Sequence, residues 1–286
     1  MAEIAASIVV KLRKMSGQGM MDCKKALEEA NGDLEEAMSI LRKKGLATLA
    51  KRADRETTQG RIVCRVSPDG RKAGMASLCC ETDFVARNED FIAATEKLGD
   101  AIWACAADEG PENLLQTKVG SRPFADLLTE LVSKTGEKTE IGDYSRLSLS
   151  GPGVIGAYVH FNHKVGALVL VETSTDAVAD AVKSLAGDFA MHVTAMKPLA
   201  VDPQSFDPAV IENERIIARE QVKGKPANII EKIVEGKIAK FLKDNCFVQQ
   251  PFVKDDSKSV EQLLNETAKA AGGTARVKRF VRVEIG

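Results

Sequence analysis

Gly74-Met75-Ala76-Ser77-Leu78-Cys79-Cys80-Glu81-Thr82-Asp83-Phe84-Val85-Ala86-Arg87-Asn88-Glu89 joins an apolar run to a helical one across a polar step, and that order decides the fold class. Gly74 to Cys80 is short, apolar and uncharged, which suits a buried strand. Asp90 to Leu98 has the spacing of an amphipathic helix. Phe84 falls in the connection between them, and connections run over the surface. Burying a Phe side chain is worth roughly 1.5–3 kcal/mol. Either Phe84 packs into its own core, as most Phe residues do, or that energy is left for a partner.

The pattern extends on both sides. Gly60 to Ser67 reads as a strand, Pro68-Asp69-Gly70 as a turn, and Lys72 to Cys80 as the antiparallel partner strand. A helix is expected from Asn88 to about Ala107. Pro111 and Pro123 bracket a loop and a short helix, and Phe124 to Ser133 is helical. A related order then returns. Arg146 to Ser150 is read as a strand, Gly151-Pro152-Gly153 as a turn, Val154 to Asn162 as a strand, Asn162-His163-Lys164 as a turn and Val165 to Glu172 as a strand. A helix from about Asp176 to Met196 closes this round. Two rounds of strand, turn, strand and helix predict an α+β protein with a two-part core of antiparallel sheets, residues 60–143 and 144–286.

The flanking segments are helical. Ile4, Ile8 and Leu12 form one apolar face, broken by Ser16-Gly17-Gln18-Gly19. A second helix from about Asp22 stops at Asn31-Gly32. Asp33 with Glu36 three residues on caps a third, which Gly45 is expected to end. Residues 1–45 are thus a three-helix module with a thin core, and 46–59 a charged connector. Asp207 to Lys223 and Ala227 to Lys243 are helical stretches separated by Gly224-Lys225-Pro226, so an antiparallel hairpin at about 207–244 is expected to project from the body. Its second arm is apolar through Ile229, Ile230, Ile233, Ile238 and Phe241. A helix from Val260 to Ala271 and a strand from Val277 to Ile285 come last.

Composition narrows the function classes. The formal net charge is -1, whereas a basic nucleic-acid binder carries a large positive excess, so direct nucleic-acid binding is not expected. Aromatics are 5% of the chain with Trp103 the single tryptophan, which argues against stacking platforms for single strands. No stretch has the apolar length of a membrane span, and Met1-Ala2-Glu3-Ile4 does not open a secretory signal. A cytoplasmic location is expected. Cys23, Cys64, Cys79, Cys80, Cys105 and Cys246 are scattered without a Cys-x-x-Cys pair and read as reduced, buried thiols. Cys79 and Cys80 point to opposite faces of a strand.

Catalytic constellations are missing from the sequence. His160 and His163 flank a turn with no third ligand nearby. Gly17-Gln18-Gly19 follows a helix rather than a strand and lacks the lysine and hydroxyl of a phosphate loop. No Gly-x-Ser-x-Gly elbow exists. Neither an enzyme nor a bound cofactor or metal is expected. Met20-Met21 stands out instead, because Met adapts to irregular apolar surfaces and the pair opens a helix beside a glycine-rich turn.

Met15-Ser16-Gly17-Gln18-Gly19-Met20-Met21-Asp22-Cys23-Lys24-Lys25-Ala26-Leu27 resembles the N-terminal signature of the elongation factor Ts family. Cys80 to Asn88 resembles its second signature. Tyr158-Val159-His160, Met191-His192-Val193-Thr194-Ala195-Met196-Lys197-Pro198, Gly224-Lys225-Pro226 and Gln250-Pro251-Phe252-Val253 follow in family order. The resemblance implies a guanine nucleotide exchange factor for elongation factor Tu, the GTPase that carries aminoacyl-tRNA to the ribosome. It implies that the three-helix module is ubiquitin-associated-like and that the hairpin is of coiled-coil type. By the same resemblance, Phe84 wedges into the GTPase domain and disturbs its magnesium site so that GDP leaves. Thr82, Asp83 and Val85 support or flank that wedge, and Met20, Met21, Lys24, Gly136, His160 and Val253 are further contacts. The magnesium and GDP belong to the partner. The candidate partners are elongation factor Tu and, through the core, a second copy of this chain.

Four features depart from the family pattern. Cys79 stands where Asn is usual, Phe161-Asn162-His163 replaces a small-residue turn, and Asp143-Tyr144-Ser145-Arg146 replaces an Arg-rich segment. The chain stops at Gly286, where some members carry a further helix that contacts the GTPase, so that contact is not expected. Two other classes compete with the exchange factor: an adaptor using only the three-helix module, and a thiol or metal enzyme built on Cys79, Cys80 and the histidines.

Overall fold

Three helices open the chain: α1 (Ala6–Ser16), α2 (Met20–Glu29) and α3 (Leu34–Lys51). The computed structural model describes residues 4–223 and 226–286. Val9, Leu12, Cys23, Leu27, Ala37 and Leu41 form the small core among the three helices. Asn31 and Gly32, both at positive φ, turn the chain out of α2. The Asp33 carboxylate accepts the Glu36 N–H at 2.8 Å and starts α3. Gly45 does not end that helix, contrary to expectation, and residues 46–51 of the expected connector are its last turns. A Cβ on Gly45 would lie 2.6 Å from the Thr129 carbonyl oxygen and 3.0 Å from the Ser133 Cβ. The glycine lets a second helix approach; it is not a stop signal.

β1 (Gln59–Val66) and β2 (Lys72–Cys80) pair antiparallel, with Gln59 opposite Cys80 and Val66 opposite Ala73. A short α4 (Asp83–Ala86) and then α5 (Glu89–Ala104) follow. α6 (Pro111–Gln116), the small pair β3 (Lys118–Val119) and β4 (Arg122–Pro123), and α7 (Phe124–Thr135) come next. α7 is the helix that meets Gly45, and its Ser133 hydroxyl donates to the Leu41 carbonyl at 3.1 Å.

β5 (Thr139–Ser148) corrects the two-round reading. It begins well before Arg146 and pairs with β2, so it completes the first sheet, of order β1-β2-β5, instead of opening the second. The boundary drawn between residues 143 and 144 falls inside this strand. A shift of register opposite Ser77 obscured it, because Gly142 and Asp143 interrupt the alternation. There the Asp143 N–H donates to the Ser77 hydroxyl at 2.9 Å.

β6 (Gly153–Val159), β7 (Val165–Thr173) and α8 (Asp176–Met196) lie close to their expected bounds. α9 (Pro208–Glu220) and α10 (Ala227–Asn245) pack through Ala218, Val222, Val234 and Ile238. Ion pairs link Arg215 to Glu235 at 3.5 Å and Arg219 to Glu231 at 3.3 Å, so the two helices run in opposite directions. Ile229 is exposed, whereas Ile230, Ile233 and Ile238 of its expected apolar side are in the cluster between the two helices. Gly224-Lys225, expected to join the two helices, lies outside the described residues, as does Met1-Ala2-Glu3. A hairpin of β8 (Pro251–Phe252) and β9 (Asp255–Ser259), invisible in the sequence pattern, precedes α11 (Val260–Ala270) and β10 (Ala275–Glu284). β10 pairs with β7, giving a second antiparallel sheet of order β10-β7-β6.

The two sheets meet face to face. Ile62, Met75, Leu147, Ile155, Leu168 and Leu170 fill the space between them. Phe91, Leu98, Ile102, Phe124 and Leu131 cover the far face of the first sheet. Phe189, Val193, Phe247 and Leu264 cover that of the second. Cys79 belongs to the layer between the sheets and Cys80 to the helix-covered side, which is the alternation of a strand. The whole is α+β. Among the described residues no helix is long and apolar enough to cross a membrane.

Candidate partner-binding surface

Phe84 is 83% exposed, so it is not part of its own core. The cause is local. Thr82 caps α4, its hydroxyl accepting the Val85 N–H at 3.4 Å. One helical turn then directs Val85 and Ala86 into the first core and leaves Phe84 facing out. Asp83, in the same turn, pairs with Arg87 at 3.1 Å.

Two carboxylates brace this turn from behind. Glu137 accepts the Thr82 hydroxyl at 2.7 Å and the Thr82 N–H at 3.1 Å. Gly136 puts Glu137 there: it ends α7 at φ 70°, a left-handed conformation that turns the chain back toward Thr82. Glu81 accepts the Arg52 guanidinium on both oxygens at 2.8 Å and the Lys138 N–H at 2.6 Å. Burial pushes the Glu81 carboxyl up, but the bonds from Lys138 and Arg52 outweigh it and hold the group below its ordinary value. The base of the Phe84 turn is therefore tied both to the end of α3 and to the end of α7.

A second exposed aromatic lies beside the first. Phe161 is 84% exposed on the turn between β6 and β7. His163 holds that turn at φ 58°, and its carbonyl accepts the Ile62 N–H at 2.8 Å, which anchors the turn to β1. The His160 ring lies 4.4 Å from the Phe161 ring, and its Nδ1 is 2.9 Å from the Tyr158 hydroxyl. Burial, then the nearby Arg61, pushes the His163 imidazole below its ordinary value. Phe84 and Phe161 line one open cleft of ≈ 750 Å³ that also contains Arg61, Asp83, Arg87 and Lys164. Phe161 was not among the expected site residues, yet it lines the same cleft as Phe84. Its signal was the one that marked Phe84: an aromatic in a polar turn.

The remaining expected residues divide. Met20 and Met21 are exposed at the start of α2 and take no part in the three-helix core. Lys24 pairs with Glu28 at 3.8 Å on the same helix. A Cβ on Gly17 would meet the Lys134 side chain at 2.6 Å, so the turn before Met20 abuts the last turn of α7, close in sequence to Gly136. The N-terminal signature and the Phe84 turn thus converge on one helix end. Val253 does not line the cleft. It is half-exposed at the tip of the β8–β9 hairpin, held against α8.

The thiols are free. Burial pushes Cys64 and Cys80 up to about 12 and raises Cys79, which keeps them protonated at neutral pH. Among the described residues no three His, Cys, Asp or Glu side chains group as metal ligands would. What the surface offers is two projecting aromatics on braced turns, beside cations and a carboxylate.

Residues 81–286 match the family described as Elongation factor TS. A protein named elongation factor Ts from Nitratiruptor sp. is 45% identical over 285 residues, covering 99% of this chain and 93% of the relative. One of the same name from Nitratidesulfovibrio vulgaris is 40% identical over 290 residues, covering 99% and 96%. Another from Clostridium acetobutylicum is 39% identical over 286 residues, covering 99% and 92%.

Proposed function

This chain belongs to the elongation factor Ts family, and from that membership we propose that it binds elongation factor Tu in its GDP form and promotes release of the nucleotide. On this reading Phe84 enters the GTPase domain as a wedge and disturbs its magnesium site, after which GTP rebinds. The observation that carries the reading is the exposed Phe84 on a turn braced by Glu81 and Glu137. A turn whose backbone is already braced loses less conformational freedom on binding, so more of the burial energy of its aromatic is available for the complex.

Exchange requires tighter binding to the nucleotide-free partner than to the GDP form, and the coupling is reciprocal. A thousandfold effect corresponds to about 4 kcal/mol, at ~1.4 kcal/mol per decade. One Phe supplies roughly 1.5–3 kcal/mol. Phe84 therefore needs help, and Phe161 in the same cleft and the exposed Met20-Met21 pair are the candidate sources. The three-helix module acts as a ubiquitin-associated-like docking unit, and α9 with α10 as a projecting coiled-coil hairpin. The chain supplies binding energy and no covalent step, and the magnesium and GDP are the partner's.

The test is stopped-flow release of fluorescent GDP from elongation factor Tu. Addition of this chain is expected to accelerate release by orders of magnitude. Release at the spontaneous rate would remove the reading.

A further inference from the structure

His192 lies on α8, fully buried, in neither of the two exposed turns. Both of its ring nitrogens are used. The Val253 N–H donates to Nδ1 at 3.1 Å. A backbone amide only donates, so Nδ1 carries no proton and the neutral ring is protonated at Nε2. Nε2–H then donates to the Gln250 side-chain oxygen at 2.9 Å. The Gln250 amide is itself oriented, because its nitrogen donates to the Asp244 carbonyl at 2.7 Å and the Met196 carbonyl at 3.4 Å. Every bond in this buried chain of groups has one allowed direction. Phe252 stacks on the imidazole at 6.0 Å and Phe247 lies 5.5 Å away, so water does not replace these bonds.

One helical turn earlier on the same face of α8, Asp188 pairs with Lys254 at 2.6 Å. The hairpin tip Val253-Lys254 is thus held at two points by side chains four residues apart on one helix. Both residues of the tip are exposed, Val253 at 44%. Lys254–Asp188 is a surface ion pair, worth roughly 0–1 kcal/mol. The buried imidazole bond is the stronger constraint on where Val253 stands.

We propose that His192 is a positioning residue for partner binding: its unprotonated Nδ1 fixes the Val253 backbone, and so sets the height at which the Val253 side chain meets the partner. The inference rests on the exchange-factor reading above, with Val253 as a contact.

Two isosteric variants separate positioning from simple packing. In His192→Asn the side-chain oxygen can stand where Nδ1 does and accept the Val253 N–H. In His192→Gln the amide nitrogen can stand where Nε2 does and donate to Gln250, but the acceptor for Val253 is lost. Both leave a gap in the core. The readout is the concentration of this chain giving half-maximal GDP release, set beside the maximal release rate. His192→Gln is expected to raise that concentration roughly tenfold with the maximal rate retained, the scale of one buried hydrogen bond. His192→Asn is expected to stay within about threefold of the parent. Equal losses in the two variants would overturn the proposal. So would an unchanged half-maximal concentration in Val253→Asp, which would leave the exchange reading standing. A parent chain that does not accelerate release removes both. If either variant fails to fold, ¹⁵N-histidine NMR of the parent decides: a His192 ring protonated at Nδ1 overturns the proposal, and one protonated at Nε2 with a slowly exchanging Val253 amide supports it.

Discussion

The Glu137 carboxylate takes both hydrogen-bond donors of Thr82, hydroxyl at 2.7 Å and backbone N–H at 3.1 Å. Thr82 is the cap of the turn that exposes Phe84, so a residue 53 positions downstream of Phe84 holds the aromatic in place. Glu137→Ala is expected to destabilise the fold by about 1–3 kcal/mol, since two partly buried donors lose their acceptor. Stimulated GDP release should fall alongside, while Thr82→Ser, which keeps the hydroxyl, behaves as the parent. Urea unfolding and stopped-flow release check the two halves separately.

Phe84→Ala is expected to slow stimulated release by tenfold or more, from a loss of roughly 1.5–3 kcal/mol at the interface. Phe84 is 83% exposed in the free protein, so the melting midpoint should move by no more than a degree or two. A large fall in melting temperature would place the side chain in a packed environment and contradict its exposure.

Phe161→Ala tests whether the two aromatics act together. Alone it should weaken stimulation without unfolding the protein, because Phe161 is 84% exposed. Combined with Phe84→Ala, the loss should differ from the sum of the single losses by more than about 0.5 kcal/mol, as for residues sharing one partner. Strict additivity would separate Phe161 from the wedge.

Gly45→Ala should loosen α3 from α7, because the new methyl would sit 2.6 Å from a backbone oxygen that cannot step aside. Overpacking of this kind costs about 1–3 kcal/mol. Hydrogen exchange is expected to accelerate in α3 and in the last turns of α7, with the sheets unchanged.

Burial holds His192 below the ordinary histidine value of 6.5, against the upward pull of its bond to Gln250. The unfolded chain therefore binds this proton more readily than the folded one. The stabilisation is complete above the unfolded value and is lost as pH falls below it. Urea midpoints should decline from pH 7 to 5, and His192→Asn should remove part of that slope. Glu284 acts in a separate window. Bonds from Arg282 and Lys197 hold it at about 2, below its ordinary 4.5, so its contribution persists above 4.5 and is lost only as pH falls through that value toward 2.

Much of the fold was legible because its elements obey local rules. Asp33 capped its helix where a capping residue should, and residues 72–80 formed the strand their apolar run predicted. The failures have one cause. Gly45 carries a local signal to stop a helix, but the approach of α7 overrides it. Gly142 and Asp143 break the alternation of β5, but a bulge against Ser77 absorbs them. The β8–β9 hairpin is too short for a period, and its place is set by contacts to α8. The same holds for the site. The signature around Phe84 was readable, whereas Glu137, Arg52 and Phe161 come from distant parts of the chain and meet it only in space.

By itself the sequence determined the α+β class, most of the longer helices and strands, and the stretch where an aromatic stands in a polar turn, because helix caps, turn residues and apolar spacing act over a few residues. Only the tertiary structure decided which sheet β5 joins, that Phe84 faces outward with Phe161 beside it, and that His192 holds Val253. Those outcomes depend on packing and on buried hydrogen bonds between residues far apart in the chain, whose pairing no local pattern encodes.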